Sequence, residues 1–204
     1  FQKKLRSVWQ LQQHVSYCLF GSKKHLMNEL FEKKNLPFYK FGDAIYLTKI
    51  ETKYWIEYIC KRFENTGKHI SPELAEEICR LVDNHSSYVQ QLSWLLWIRT
   101  INTATTEQLT YALEDLLDQN NILFQSETEN LSAYQMNFLK AIVDGIHTKF
   151  SSKEVISKYN LGTSANIVRL KNALLQKELI ETNGKEIVLA DPVFGVWFKK
   201  EMLY

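Results

Sequence analysis

The residues with enough chemistry to define an active site are few, and their spacing is wrong for most reactions. Five histidines, His14, His25, His69, His85 and His147, stand far apart and lack metal-ligand spacing. Surface or capping roles suit each of them. Cys18, Cys60 and Cys79 are isolated in apolar contexts. An odd, unclustered set points to buried thiols in a reducing compartment, not to a disulfide framework or a zinc site. Gly21-Ser22-Lys23-Lys24 invites comparison with a phosphate loop. The spacing Gly-x4-Gly-Lys-[Ser/Thr] is absent there and elsewhere in the chain, so a plain strand-to-helix turn is the better reading. Gly-x-Gly-x-x-Gly and Gly-x-Ser-x-Gly are absent too, which removes a dinucleotide fold and a nucleophile elbow. What remains is a row of side chains able to read base edges. At about 100° per residue, Ala165, Val168, Arg169, Asn172 and Gln176 turn to one side of a helix, with Lys171 and Lys177 at its flanks. Arg, Asn and Gln all suit a major groove.

The elements around that row are the best-punctuated part of the chain. Ser132-x-x-Gln135 is a capping box before an apolar run, with Met136, Leu139, Ala141, Ile142 and Val143 at helical spacing and Asp144-Gly145 as the stop. A second capping box, Ser151 to Glu154, opens a short helix carrying Val155, Ile156 and Tyr159, which Gly162 ends. Thr163 or Ser164 caps a third helix whose stripe is Ile167, Leu170, Ala173 and Leu174. The period then becomes alternating in Leu179 to Thr182 and Glu186 to Leu189, on either side of Asn183-Gly184. Two β-prone runs around Asn-Gly predict a hairpin with a type I′ turn, which needs positive φ at both central residues. Three helices and a two-stranded wing make a winged helix-turn-helix, with Lys185 at the wing tip. From Leu131 to Tyr204 there are ten Lys/Arg and seven Asp/Glu, a net of +3. That mild excess fits a DNA reader or a module that contacts only protein.

Upstream, Leu5, Val8, Trp9 and Leu11 suggest an amphipathic helix. His14 to Phe20 and Ala44 to Thr48 look like short strands, the first buried as in a parallel sheet. Lys23 to Lys34 between them has helical spacing. From Ile50 to about Asn120 the pattern is wholly helical, with Trp55, Ile59 and Phe63 at i, i+4, i+8, and Ser71-Pro72 and Thr105 to Gln108 as helix starts. Tyr88 to Ile98 is apolar nearly all round and is expected to be a buried central helix. Trp94/Trp97 and Phe194/Trp197/Phe198 are expected to pack in cores. The polar, acidic stretch 119–130 is the expected linker. The domains are therefore 1–49, the end of an α/β domain; 50–120, a helical bundle; and 131–204, the winged helix. The fold class is mainly α with small β.

Of 204 residues, 45% are hydrophobic and 13% aromatic, with 3 Pro and 7 Gly. There is ample core and no case for disorder. The formal net charge of +2 excludes a bulk nucleic-acid coat but not a local patch. No apolar run approaches the ~18 residues of a membrane span, and no signal peptide is evident, so a cytoplasmic location without a membrane partner is expected.

Three motifs carry a resemblance. Tyr17-Cys-Leu-Phe-Gly-Ser22, followed by His25-Leu-Met27, Phe31 and Pro37-Phe-Tyr39, resembles the late nucleotide-domain segment of the archaeal-type P-loop ATPases, AAA-like NTPases related to the STAND class. Tyr88-Val-Gln-Gln-Leu92 resembles their lid, and Ala190-Asp191-Pro192-Val-Phe194 with Trp197 their C-terminal winged helix. In that family Walker A and Walker B precede the strand matched by His14 to Phe20, and neither is present here. The resemblance implies that this is the C-terminal portion of an ATPase that binds ATP and Mg in the intact parent, with neither expected bound to this chain and no hydrolysis by it alone. It implies that Ser22 senses the γ-phosphate, and that Lys40 faces nucleotide. Lid and winged helix would couple nucleotide state to double-stranded DNA, through Arg169, Lys171, Asn172, Gln176 and Lys185, or to a protein partner. A stand-alone winged-helix DNA-binding regulator, or a protein-interaction module, remains the alternative.

Overall fold

The computed structural model describes residues 1–21 and 24–203. Two compact units divide the chain, Phe1–Thr48 and Lys49–Tyr204. In the first, α1 (Gln2–Trp9) and α2 (Lys24–Glu32) are gathered by aromatic rings. Trp9 stacks on Tyr17 with centroids 4.4 Å apart, and buried Phe38 lies among Trp9, Phe31 and Phe41. Arg6 donates to the carbonyls of Pro37 and Tyr39. The two strands expected here do not form. Residues 15–21 and 43–51 join no ladder among the described residues, and Phe20 and Leu47 are 92% and 94% exposed. A run written for the inside of a parallel sheet needs neighbouring strands on both edges and helices on both faces. Neither segment finds them within this unit.

The second unit opens with four helices, α3 (Thr52–Glu64), α4 (Pro72–Leu81), α5 (Ser86–Arg99) and α6 (Thr106–Glu129). The spacing of Trp55, Ile59 and Phe63 buries all three. Ser71 accepts the Leu74 amide and Pro72 occupies the first helical position, where its missing N–H is harmless. Both halves of the Thr105/Gln108 capping box are present. A single parallel bridge, His69 to Thr103, ties the connections on either side of α4 and α5. α5 departs from its expected all-round burial. Tyr88, Val89, Leu92, Leu95 and Leu96 face α4 and α6, but Trp94 is 56% exposed and Ile98 is exposed with it. Trp97 is half-buried, its ring under Lys68 and its indole N–H on Thr66. α4 and α6 cover most of α5, and among the described residues Trp94 and Ile98 lie on its exposed side.

The linker expected over 119–130 is the second half of α6. Leu117, Asn121, Phe124 and Thr128 recur at i, i+4, i+7, i+11 on one side. Phe124 and Thr128 are buried and Asn121 accepts the indole N–H of Trp197 at 2.8 Å. Gln125, Ser126 and Glu129 are exposed on the other side, together with Ile122 and Leu123. One continuous core therefore runs from Trp55 to Phe198 across the expected boundary.

The remainder is a winged helix: α7 (Ala133–Val143), α8 (Lys153–Tyr159), α9 (Ser164–Gln176), β1 (Ile180–Asn183), β2 (Glu186–Leu189) and α10 (Pro192–Leu203). The Ser132/Gln135 capping box is complete. The expected box at Ser151 is not; Ser152 caps α8 by accepting the Val155 amide, one residue further on. α8 ends at Asn160 in the left-handed region, and Gly162, at φ +83°, turns the chain into α9. The wing pairs Ile180 with Leu189 and Asn183 with Glu186, so the two central turn residues are Gly184 and Lys185. Only Gly184 has positive φ, +61°. That corrects the expected type I′ turn to the type II′ pattern, in which glycine takes the first central position. His147 ties the α7–α8 connection to β2, its carbonyl accepting the Ile187 amide and its Nδ1 lying 3.2 Å from the Ile187 carbonyl.

Candidate nucleic-acid interface

α9 is positioned by Ile167, Leu170 and Leu174, all buried against α7 and β1. Their 3.6-residue period forces the opposite side outward. Ala165, Val168, Arg169, Asn172 and Gln176 are exposed there, and Lys171 is half-buried on the flank. From Ala165 to Gln176 the row runs ~16 Å along the axis, enough to lie in a major groove about 12 Å wide. α9 contains no Asp or Glu. Among the described residues none of the ion pairs involves Arg169, Lys171 or Lys185, so no internal carboxylate holds these cations back from a phosphate.

The wing is a poorer cation surface than its tip suggests. Lys185 is exposed, but so are Glu181 and Glu186 beside it, and two carboxylates against one ammonium repel phosphate locally. On α8 and α9 four cations, Lys153, Lys158, Arg169 and Lys171, stand against one carboxylate, Glu154. Lys153 and Lys158 are exposed on α8, the helix that crosses the DNA backbone in a helix-turn-helix. Sequence reasoning passed over both. Their signal was available in their place on the helix preceding the reading helix, outside its stripe.

Ser22 lies outside the described residues. Lys40 is exposed in the first unit, at φ +50°, with its ammonium 5.6 Å from the Tyr39 ring. No group of acidic, His and Cys side chains suited to a metal occurs among the described residues.

A buried polar link joins α5 to α10. Asp191 accepts the amides of Val193 and Phe194 on one oxygen, at 2.8 and 3.0 Å, and the Tyr88 hydroxyl on the other at 2.5 Å. It thus caps α10 and grips the helical bundle with the same carboxylate. Burial, then the Asp191 hydrogen bond, push the Tyr88 phenol well above its usual range. Glu127 on α6 is half-buried near this carboxylate, and burial followed by the Asp191 charge raises its pKa.

Together, α7 to α9 and the hairpin define a winged helix. The family model described as a probable winged helix domain matches residues 120–200, beginning inside α6 where Phe124 and Asn121 meet α10. A solved structure of the Walker-type ATPase of Pyrococcus abyssi has a similar fold, with a TM-score of 0.71 and 17% identity over 97% of this chain. This chain spans 57% of that one. No curated protein matches it. No helix among the described residues is long and apolar enough to cross a membrane.

Proposed function

We propose that this chain is the lid and winged-helix portion of an AAA-like, STAND-type ATPase, and that α9 is its arm for double-stranded DNA. The observation that carries the DNA reading is the α9 face: arginine and two amide side chains exposed in one row, with no acidic residue on the helix. Affinity then combines a small phosphate term with base-edge contacts from Arg169, Asn172 and Gln176. Lys171, Lys153 and Lys158 supply phosphate contacts, and Lys185 adds one at most.

The ATPase half of the reading is supported by the fold shared with the Walker-type ATPase and by the motifs that resemble that family. ATP and Mg belong to the intact parent, where Ser22 and Lys40 would face nucleotide and the lid would move with its state. The sequence has no Walker A spacing, so these residues alone are not expected to turn over ATP. The Asp191 link and the continuous α6 would pass lid movement directly to the winged helix.

The test is fluorescence anisotropy of a mixed-sequence duplex at 50 and 200 mM salt. Three phosphate contacts predict a ~40-fold loss of affinity across that range. Replacing Arg169 and Lys171 together by alanine should weaken binding and flatten the slope. No binding at 50 mM salt would remove DNA as the partner and leave the α9 face to a protein.

A further inference from the structure

Val168 is out of character with its surroundings. It is 62% exposed, a β-branched apolar residue in the fifth position of α9, between Ala165 one turn before and Asn172 one turn after. Single exposed aliphatics are ordinary on protein surfaces, so position must decide. The first half of a helix-turn-helix reading helix is the part that meets base edges. The apolar group that a base pair presents in the major groove is the thymine C5-methyl. Asn172, on the same side of the helix, has the amide geometry that pairs with adenine N6 and N7.

Its isolation also separates two occupants. A protein interface has a contiguous apolar centre of aromatic and large aliphatic side chains. On the exposed side of α9 Val168 is the sole large hydrophobic residue, set among Arg169, Lys171, Asn172 and Gln176. A lone pair of methyls in a polar, cationic field matches a methyl in a polar, anionic groove better than it matches a protein core.

We infer that α9 reads A·T-containing duplex DNA, with Val168 packing on a thymine methyl and Asn172 bonding adenine. This rests on the DNA-binding reading above. The experiment is anisotropy at 50 mM salt with two alternating A·T duplexes of about 20 base pairs, one normal and one with deoxyuridine at every thymine. Uracil lacks only the methyl. One buried methyl predicts about fourfold weaker binding to the uracil duplex. Val168→Ala should bind both duplexes alike, at the affinity of the wild-type chain for uracil DNA. Asn172→Ala should weaken both while keeping the fourfold gap. Val168 is outside the core, so its variant keeps the fold, which circular dichroism checks. Equal, salt-sensitive binding of both duplexes by the wild-type chain overturns the thymine contact and leaves the DNA reading standing. Binding to neither overturns both.

Discussion

Replacing Asp191 by alanine removes two functions of one carboxylate, and their sizes can be worked out separately. Val193 and Phe194 lose the acceptor that caps α10, which costs ~1 kcal/mol. Tyr88, buried at 8% exposure, loses the acceptor of its hydroxyl and leaves a desolvated donor unpaired, at ~1–3 kcal/mol. The total is ~2–4 kcal/mol. With a urea dependence of ~1–3 kcal/mol per molar, the midpoint falls by ~0.7–4 M. Asp191→Asn keeps an acceptor for the Val193 and Phe194 amides and turns an amide N–H donor toward the Tyr88 oxygen, so it should lose less than alanine. Tyr88→Phe alone removes the hydroxyl, and the two changes together should cost less than their sum by about 1–2 kcal/mol, because they delete one shared bond. Urea denaturation of the wild-type chain and these four variants at one pH measures all of this. Additivity within ~0.3 kcal/mol would refute the shared bond, and with it the physical link between α5 and α10.

Glu127 gives a pH-dependent counterpart. Burial and Asp191 raise its pKa above the ordinary value near 4.5, so the folded state holds that proton more tightly than the unfolded chain. Its contribution is present below about pH 4.5 and lost as pH rises through the raised value. Glu127→Gln should therefore raise the urea midpoint at pH 7 and leave it unchanged near pH 4; an equal gain at both would contradict the assignment. At Gly162, φ is +83° and an added Cβ would sit 3.2 Å from Asn166 Nδ2. Gly162→Ala should cost ~1–3 kcal/mol from backbone strain, read as a lower thermal midpoint, and by displacing the α8–α9 turn it should weaken duplex binding as well.

The parts of this fold that could be read in sequence are those fixed locally. The Ser132/Gln135 and Thr105/Gln108 boxes and the stripe of Ile167, Leu170 and Leu174 declare themselves within a few residues, so the winged helix and the outward side of α9 were legible. The misreadings arise where burial depends on a distant element. Asn121 and Thr128 look like linker residues until Trp197 and the rest of α10 come to rest on α6. Trp94 looks like core, but it stands on the side of α5 turned away from α4 and α6 and is exposed. The wing turn slipped because Asn183-Gly184 and Gly184-Lys185 are both acceptable central pairs, and the Asn183 to Glu186 register decides. Within the candidate interface, charge summed over the whole domain concealed that Glu181 and Glu186 offset Lys185 while α9 has no offset at all.

The unbroken course of α6 has a mechanical meaning. Its 24 residues make a rod of ~36 Å, with neither glycine nor proline between Thr106 and Glu129 to bend it. Its first half is held by Arg99, whose guanidinium meets Asp115 at 2.6 Å, and its second half by the aromatic contacts of Phe124 with Phe194 and Trp197. A stiff rod held to the bundle along one half carries a tilt of the bundle to its other end. Tilting the Thr106 end by 10° would sweep the Glu129 end through ~6 Å, nearly two base-pair steps of a duplex. A small rotation of the bundle is thereby geared up into a displacement as large as the spacing between the bases that α9 would read.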